Sequence, residues 1–281
     1  MQLGCFQSNR GLASMDYADF VTKAAALGYT AFDVPPHNPD AAGIVRGQGA
    51  HIHATSAVVP PDLSRDIDVQ EEIVETMKAA IDAAAAQDIH VITHLIGRDM
   101  SISADENMAI FRDLYTVIAA HAEAKDVRLA FENWPRNGTM LAITPELWDA
   151  MFTAVPSPAL GLCYDPSHFY WLGIDYIAPI FEFRDRIYHA HAKDTEIIAA
   201  GRDRFGIYGR QLEATAPREW WRYRLPGFGA VDWPRYLDAL YQVGYDGVMS
   251  VEHEDPVWSD TPARALQGLK LAKQFLEPLL V

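Results

Sequence analysis

The sequence predicts an α/β fold, a single (β/α)8 TIM barrel over residues 1–281 with a long insertion after its seventh strand. Three observations lead there. Eight short apolar runs recur along the 281 residues, stretches of helical spacing fill the intervals between them, and no low-complexity linker divides the chain. Such alternation builds a parallel sheet, and eight repeats close into a barrel of the ordinary length for that fold.

The first run, QLGCFQ (2–7), precedes MDYADFVTKAAALGY, whose apolar residues recur three and four apart until Gly28. TAFDVP (30–35) and HIHATSA (51–57) are the second and third strands. DVQEEIVETMKAAIDAAAAQ follows, rich in Ala, Glu and Met, which are strong helix formers. After the fourth strand, IHVITHL (89–95), Ser103 and Glu106 form a capping-box pattern for the next helix. After the fifth, VRLAFE (127–132), Thr144 caps a helix with Pro145 in its first position. ALGLCYD (159–165), RIYHAHA (186–192) and GVMSVE (247–252) complete the strands, with VDWPRYLDALYQVGY and TPARALQGLKLAKQFL as closing helices. The separation between the ends of the seventh and eighth strands is nearly double the others. An insertion at about 195–229 therefore lies over the strand carboxyl ends, where barrel active sites form.

Composition narrows the function class. Lys and Arg number 23 against 38 Asp and Glu, a net charge of −15 that repels nucleic acid and anionic membranes. Only Cys5 and Cys163 occur, without a CxxC pair, which excludes a disulfide framework and a cysteine zinc site. MQLGCFQSNRG lacks the form of a signal peptide, and no apolar run approaches the roughly 18 residues of a membrane span. The expected class is a cytoplasmic enzyme with a small-molecule substrate, and the sequence is compatible with a homo-oligomer. No GxSxG elbow, P-loop or HExxH motif is present.

Side-chain alternation predicts which groups meet. Leu129 and Phe131 suit the helix-facing side of the fifth strand, which leaves Arg128, Ala130 and Glu132 inside. The same parity turns Gly161, Cys163 and Asp165 of the sixth strand inward, and Ser250 and Glu252 of the eighth. In HAHAKD, His189, His191 and Lys193 share one face, with Ala190, Ala192 and Asp194 on the other. Four consecutive strands thus bring Glu132, Asp165, His191 and Glu252 to one rim. Three carboxylates and an imidazole suit Mn²⁺ first, with Mg²⁺, Co²⁺ or Zn²⁺ as alternatives. Without a cation these carboxylates repel one another, unless Arg128 or Lys193 neutralises part of the charge. His189, one step deeper, is placed to orient a ligand from behind. Lys193 and His94, at the end of the fourth strand, are candidates for substrate oxygens. The insertion sets Trp220, Trp221 and Tyr223 among Arg218, Arg222 and Arg224, and Trp134 adds a further aromatic face. Trp134 and Arg224 are accordingly expected to contact substrate, and these aromatics allow a glycoside larger than a free hexose.

Glu132 at a strand end, DPSH (165–168), HAHAKD (189–194) and PGFGAVDWPRYLDALYQVGYDGVMSVEHE (226–254) resemble the xylose-isomerase-like barrels. That group includes sugar-phosphate isomerases and epimerases, ketose 3-epimerases and inosose dehydratases. The resemblance implies one divalent metal on Glu132, Asp165, His191 and Glu252. It gives Glu132 and Glu252 the movement of the substrate proton, and His168 a contact to substrate. The implied activity is isomerisation or epimerisation of a keto sugar through a metal-bound enediolate; a lyase acting by β-elimination or dehydration on a keto sugar or 3-keto-glycoside is the alternative. Two departures weaken free-ketose specificity. KDTE runs straight into the insertion where ketose epimerases carry Glu and then Arg, and His253 and Glu254 follow the last glutamate. Phosphodiester cleavage, as in related apurinic endonucleases, conflicts with the net charge and with the few histidines at strand ends. A sugar-binding barrel without catalysis is the remaining reading.

Overall fold

The computed structural model describes residues 1–36, 38–209 and 220–280. Along the chain run β1 (Gln2–Cys5), α1 (Arg10–Ala13), α2 (Tyr17–Ala26), β2 (Ala31–Val34), α3 (Ala41–Gly47), β3 (His51–Val58), α4 (Ile67–Ala86) and β4 (Val91–His94). There follow α5 (Ala104–Ala124), β5 (Arg128–Glu132), α6 (Pro145–Ala154), β6 (Leu160–Tyr164), α7 (Pro166–Leu172), α8 (Ala178–Glu182) and β7 (Ile187–Ala192). The chain closes with β8 (Asp194–Ile197), α9 (Ala199–Phe205), β9 (Trp221–Arg224), α10 (Trp233–Gln242), β10 (Val248–Val251) and α11 (Pro262–Leu276). Strands β1 to β7 and β10 form a closed parallel barrel in which β1 pairs with both β2 and β10, so the sheet has no free edge. Each strand falls within its predicted run, except that β3 continues one residue further, to Val58.

Local signals set the helix starts. The Ser103–Glu106 capping box forms at α5, and the Thr144 side chain accepts the Leu147 N–H at α6. Strand parity then sorts the core. Leu129, Phe131, Leu160, Leu162, Ala190, Ala192, Met249 and Val251 join the apolar layer between barrel and helices. Ala54, Val91, Ala130 and Cys163 form a separate small cluster in the barrel, against Tyr188. Glycine is required at 161, because a Cβ there would collide with the Arg186 carbonyl and the Tyr188 ring. Among the described residues, no helix is long and apolar enough to cross a membrane.

The insertion is more ordered than a plain loop. Alternation of Thr195 and Ile197 opposite Tyr223 and Trp221 makes β8 and β9 an antiparallel hairpin, with α9 between them in sequence. Arg218 lies outside the described residues. The return path is held by Asp194, whose carboxylate accepts the backbone N–H groups of Gly227, Gly229 and Val231 and the Trp233 indole N–H at 2.9–3.2 Å. Strand β7 has ended by then, and Asp194 faces away from the lumen as its parity requires.

Removal of this acceptor leaves buried donors unpaired. Asp194→Ala is expected to lower stability by about 3 kcal/mol or more in urea unfolding, and an unchanged midpoint would count against the clasp.

Candidate active site

Glu132 is the last residue of β5, Asp165 caps α7 directly after β6, His191 lies in β7, and Glu252 follows β10. One ligand-type atom from each lies within 4.8 Å of the others. His191 Nδ1 is 3.0 Å from Glu252 Oε2, 3.6 Å from Glu132 Oε1 and 4.0 Å from Asp165 Oδ2. Asp165 is fixed from two sides. Its Oδ1 accepts the Ser167 N–H (2.8 Å), while Asn133 exchanges hydrogen bonds with its backbone at 2.8 and 2.9 Å. This leaves Oδ2 buried with no hydrogen bond, and His191 Nδ1 is in the same condition. Two orphaned donor atoms among three carboxylates and an imidazole fit a divalent cation.

A lysine and a second histidine crowd the same space. Lys193 Nζ lies 2.7 Å from Glu252, and 3.2 Å from both Asp165 and Glu254. Burial disfavours its charge, but Glu252, Glu254 and Asp165 outweigh that and hold the ammonium well above the usual lysine range. His168 Nε2 is 3.1 Å from Glu132 Oε1, and its Nδ1 is 3.0 Å from the Tyr223 hydroxyl. Burial pushes the Glu132 carboxyl up; the hydrogen bond from His168, the neighbouring His191 and the charge of Lys193 overcome this and keep it well below the ordinary range. Glu132 is therefore ionised at neutral pH. Arg128 does not share this task. It stands at the other end of β5, over the Tyr188 ring.

A cavity of about 310 Å³ opens beside these groups, lined by Glu132, Glu252, Glu254, Lys193, Trp134 and Tyr223, with Ala57 and Leu95. Trp134 and Lys193 are thus where substrate contact was expected. His168 is fully buried against Glu132. His189 lies deeper, with Nε2 2.9 Å from Asp33 and its ring edge-on to His191 at 5.3 Å. Tyr223 is one of the insertion aromatics named from the sequence, but Glu254, Asn133 and Asp33 are not expected there as site residues. Tyr223 and Glu254 lie close to predicted residues in sequence, whereas Asn133 and Asp33 reach their partners only through barrel closure.

Two expectations need correction. His94 does not reach the cavity. Its Nδ1 is 2.9 Å from the Val58 carbonyl, its Nε2 meets the Tyr115 hydroxyl on α5, and its ring packs on Phe131. Alternation in VITH already gives the reason: Ile92 belongs to the helix-facing core, and His94 shares its face. Arg224 does not line the cavity either, because Glu196 and Asp255 take up its guanidinium.

The His94 environment has a measurable consequence. Burial lowers its pKa from 6.5 to about 4, so between those values the unfolded chain binds a proton that the folded ring does not. Stability is therefore lost as pH falls through this window, by about 1.4 kcal/mol per pH unit from this residue. His94→Gln is expected to flatten the dependence by close to that amount in urea unfolding between pH 6 and pH 5, with little difference above pH 7. Equal slopes for the two proteins would contradict a neutral buried His94.

The family described as xylose isomerase-like TIM barrel matches residues 21–275. Among curated proteins, the uncharacterized protein YfiH of Bacillus subtilis is 31% identical over 137 residues, 48% of this chain, and the match spans 42% of its own length. An inosose dehydratase of Glaesserella parasuis is 24% identical over 280 residues, covering 93% of this chain and 91% of that enzyme. Of solved structures, IolI with a bound zinc atom superposes with a TM-score of 0.74 at 22% identity, over 100% of this chain and 99% of that one. D-psicose 3-epimerase from Clostridium cellulolyticum H10, solved with D-tagatose, gives 0.76 at 15% identity over 100% and 99%. The fold relatives thus include a sugar epimerase, and the sequence relatives a dehydratase. A match that begins within α2 and ends within α11 takes in almost the whole barrel, and the chain belongs to the xylose isomerase-like TIM-barrel family.

Proposed function

We propose that the protein is a divalent-metal-dependent isomerase or epimerase of a keto sugar or a derivative, working by proton transfer at a carbon beside the carbonyl. The observation that carries this reading is the pair Glu132 and Glu252, two carboxylates from strands separated by two others that border one cavity together with Lys193. Glu132, Asp165, His191 and Glu252 hold the ion, and the oxygen-rich set favours Mn²⁺ while accepting Mg²⁺, Co²⁺ or Zn²⁺. When bound, a divalent cation polarises the carbonyl and makes the neighbouring C–H acidic.

The chain's own groups do the rest. Glu132, kept ionised by its neighbours, takes the proton, and Glu252 returns one from the other side of the substrate. His168, held by the Tyr223 hydroxyl, orients Glu132; with both ring nitrogens so engaged it acts on the substrate through Glu132 and not by the direct contact the resemblance implied. Lys193 stabilises developing negative charge on oxygen. Trp134 and Tyr223 offer flat faces to the C–H side of a sugar ring. His189, tied to Asp33, supports His191 from behind.

A second reading, a lyase, shares the first step: if a leaving group stands β to the carbon that loses its proton, elimination replaces reprotonation. The 24% identity to an inosose dehydratase over 280 residues favours it.

Protein purified without added metal is expected to carry about one divalent ion per chain by elemental analysis, and Glu252→Gln to carry much less. Equal metal content in the two would sink the ligand assignment. Incubated in D₂O with a panel of keto sugars and 3-keto-glycosides, the enzyme is expected to put deuterium at carbon and release a new isomer. An ultraviolet-absorbing unsaturated ketone would instead select the lyase, and no exchange with any member would refute both. Glu132→Gln is expected to lower kcat at least about a hundredfold on whichever substrate turns over.

A further inference from the structure

We propose that a second cavity, beside the reaction cavity, receives a flat aromatic aglycone, so that the substrate is an aryl glycoside of a keto sugar. This rests on the keto-sugar reading above and extends it. The second cavity is also about 310 Å³, within the range of small-molecule sites. Its walls come from Pro135, Ile143, Trp171, Leu172 and Trp220, and Ile207 and Tyr208 complete it from the insertion. Those last two are 58% and 80% exposed, large apolar side chains left to solvent at a concave site.

The two cavities share a wall. Trp134 borders the reaction cavity, and the next residue, Pro135, borders the second. Trp134 also packs in one apolar cluster with Leu95, which lines the reaction cavity, and with Ile143 and Leu172, which line the second. On the insertion side, Trp171 stacks on Trp221 at 4.3 Å and 6°, and Trp221 meets Tyr223 edge-on at 4.8 Å. A ligand with its sugar beside Glu132 and Glu252 therefore has an aromatic partition next to it, with a ring-sized apolar space beyond. Parallel and edge-on indoles favour a flat π system over an alkyl chain. The indole N–H groups of Trp171, Trp220 and Trp221 are buried with no acceptor among the described residues, and a phenolic or glycosidic oxygen is the kind of group that would accept from them.

The test needs no turnover. Phenyl β-D-glucopyranoside, methyl β-D-glucopyranoside and octyl β-D-glucopyranoside lack a ketone, and each is titrated into the metal-loaded enzyme by calorimetry. The phenyl glycoside is expected to bind at least about tenfold more tightly than the methyl one. Ile207→Glu and Tyr208→Ala alter exposed positions outside the proton-transfer groups. They are expected to abolish that preference while leaving methyl-glycoside binding and turnover of any free keto sugar unchanged. Equal phenyl and methyl affinities, undetectable phenyl binding, an octyl glycoside that binds more tightly than the phenyl one, or a preference surviving both substitutions would each overturn the proposal. Failure of the deuterium-exchange panel with the phenyl preference intact would overturn the chemistry and spare the aglycone site.

Discussion

Crowding of buried negative charge is the constraint on which the rest of the molecule depends. Glu132, Asp165 and Glu252 meet within a few ångströms of His191, and Glu254 joins them through Lys193. Carboxylates gathered away from water repel one another unless positive charge stands among them. Lys193 supplies part of it, and the Asp165 and His191 atoms that lack a hydrogen bond leave a place suited to a cation. Much of the neighbouring structure fixes this arrangement. Asn133 clamps the Asp165 backbone, Ser167 occupies one Asp165 oxygen, and Tyr223 secures the ring of His168.

The same few residues organise the cover over the site. In HAHAKD, strand alternation sends His191 and Lys193 inward, while Asp194 turns out and gathers the N–H groups of the returning chain. Strand β9 can then place Tyr223 against both His168 and Lys193. Charge placement inside the barrel and the path of the insertion are thus coupled through adjacent residues.

Legibility in the sequence followed the range of the interactions. Capping at Ser103 and Thr144 and alternation in β5, β6, β7 and β10 are short-range, and they appeared where the residues implied. His94 departs from the expected lumen-facing place because it shares the parity of Ile92, which turns a strand-end residue toward the helices. Arg224 departs from its expected place for a different reason: Glu196 and Asp255 lie 28 and 31 residues away, and nothing local announces them.

The sequence by itself determined the barrel, its eight strands and the four residues at matching strand ends, because periodicity of two and regular spacing are properties of the chain that need no knowledge of contacts. Tertiary structure decided which polar groups actually meet. Lys193 between Glu252 and Asp165, Tyr223 on His168, and Asp33 on His189 join elements far apart in sequence. Such pairings arise only when the sheet closes and the insertion folds back, because closure fixes distances that spacing along the chain leaves free.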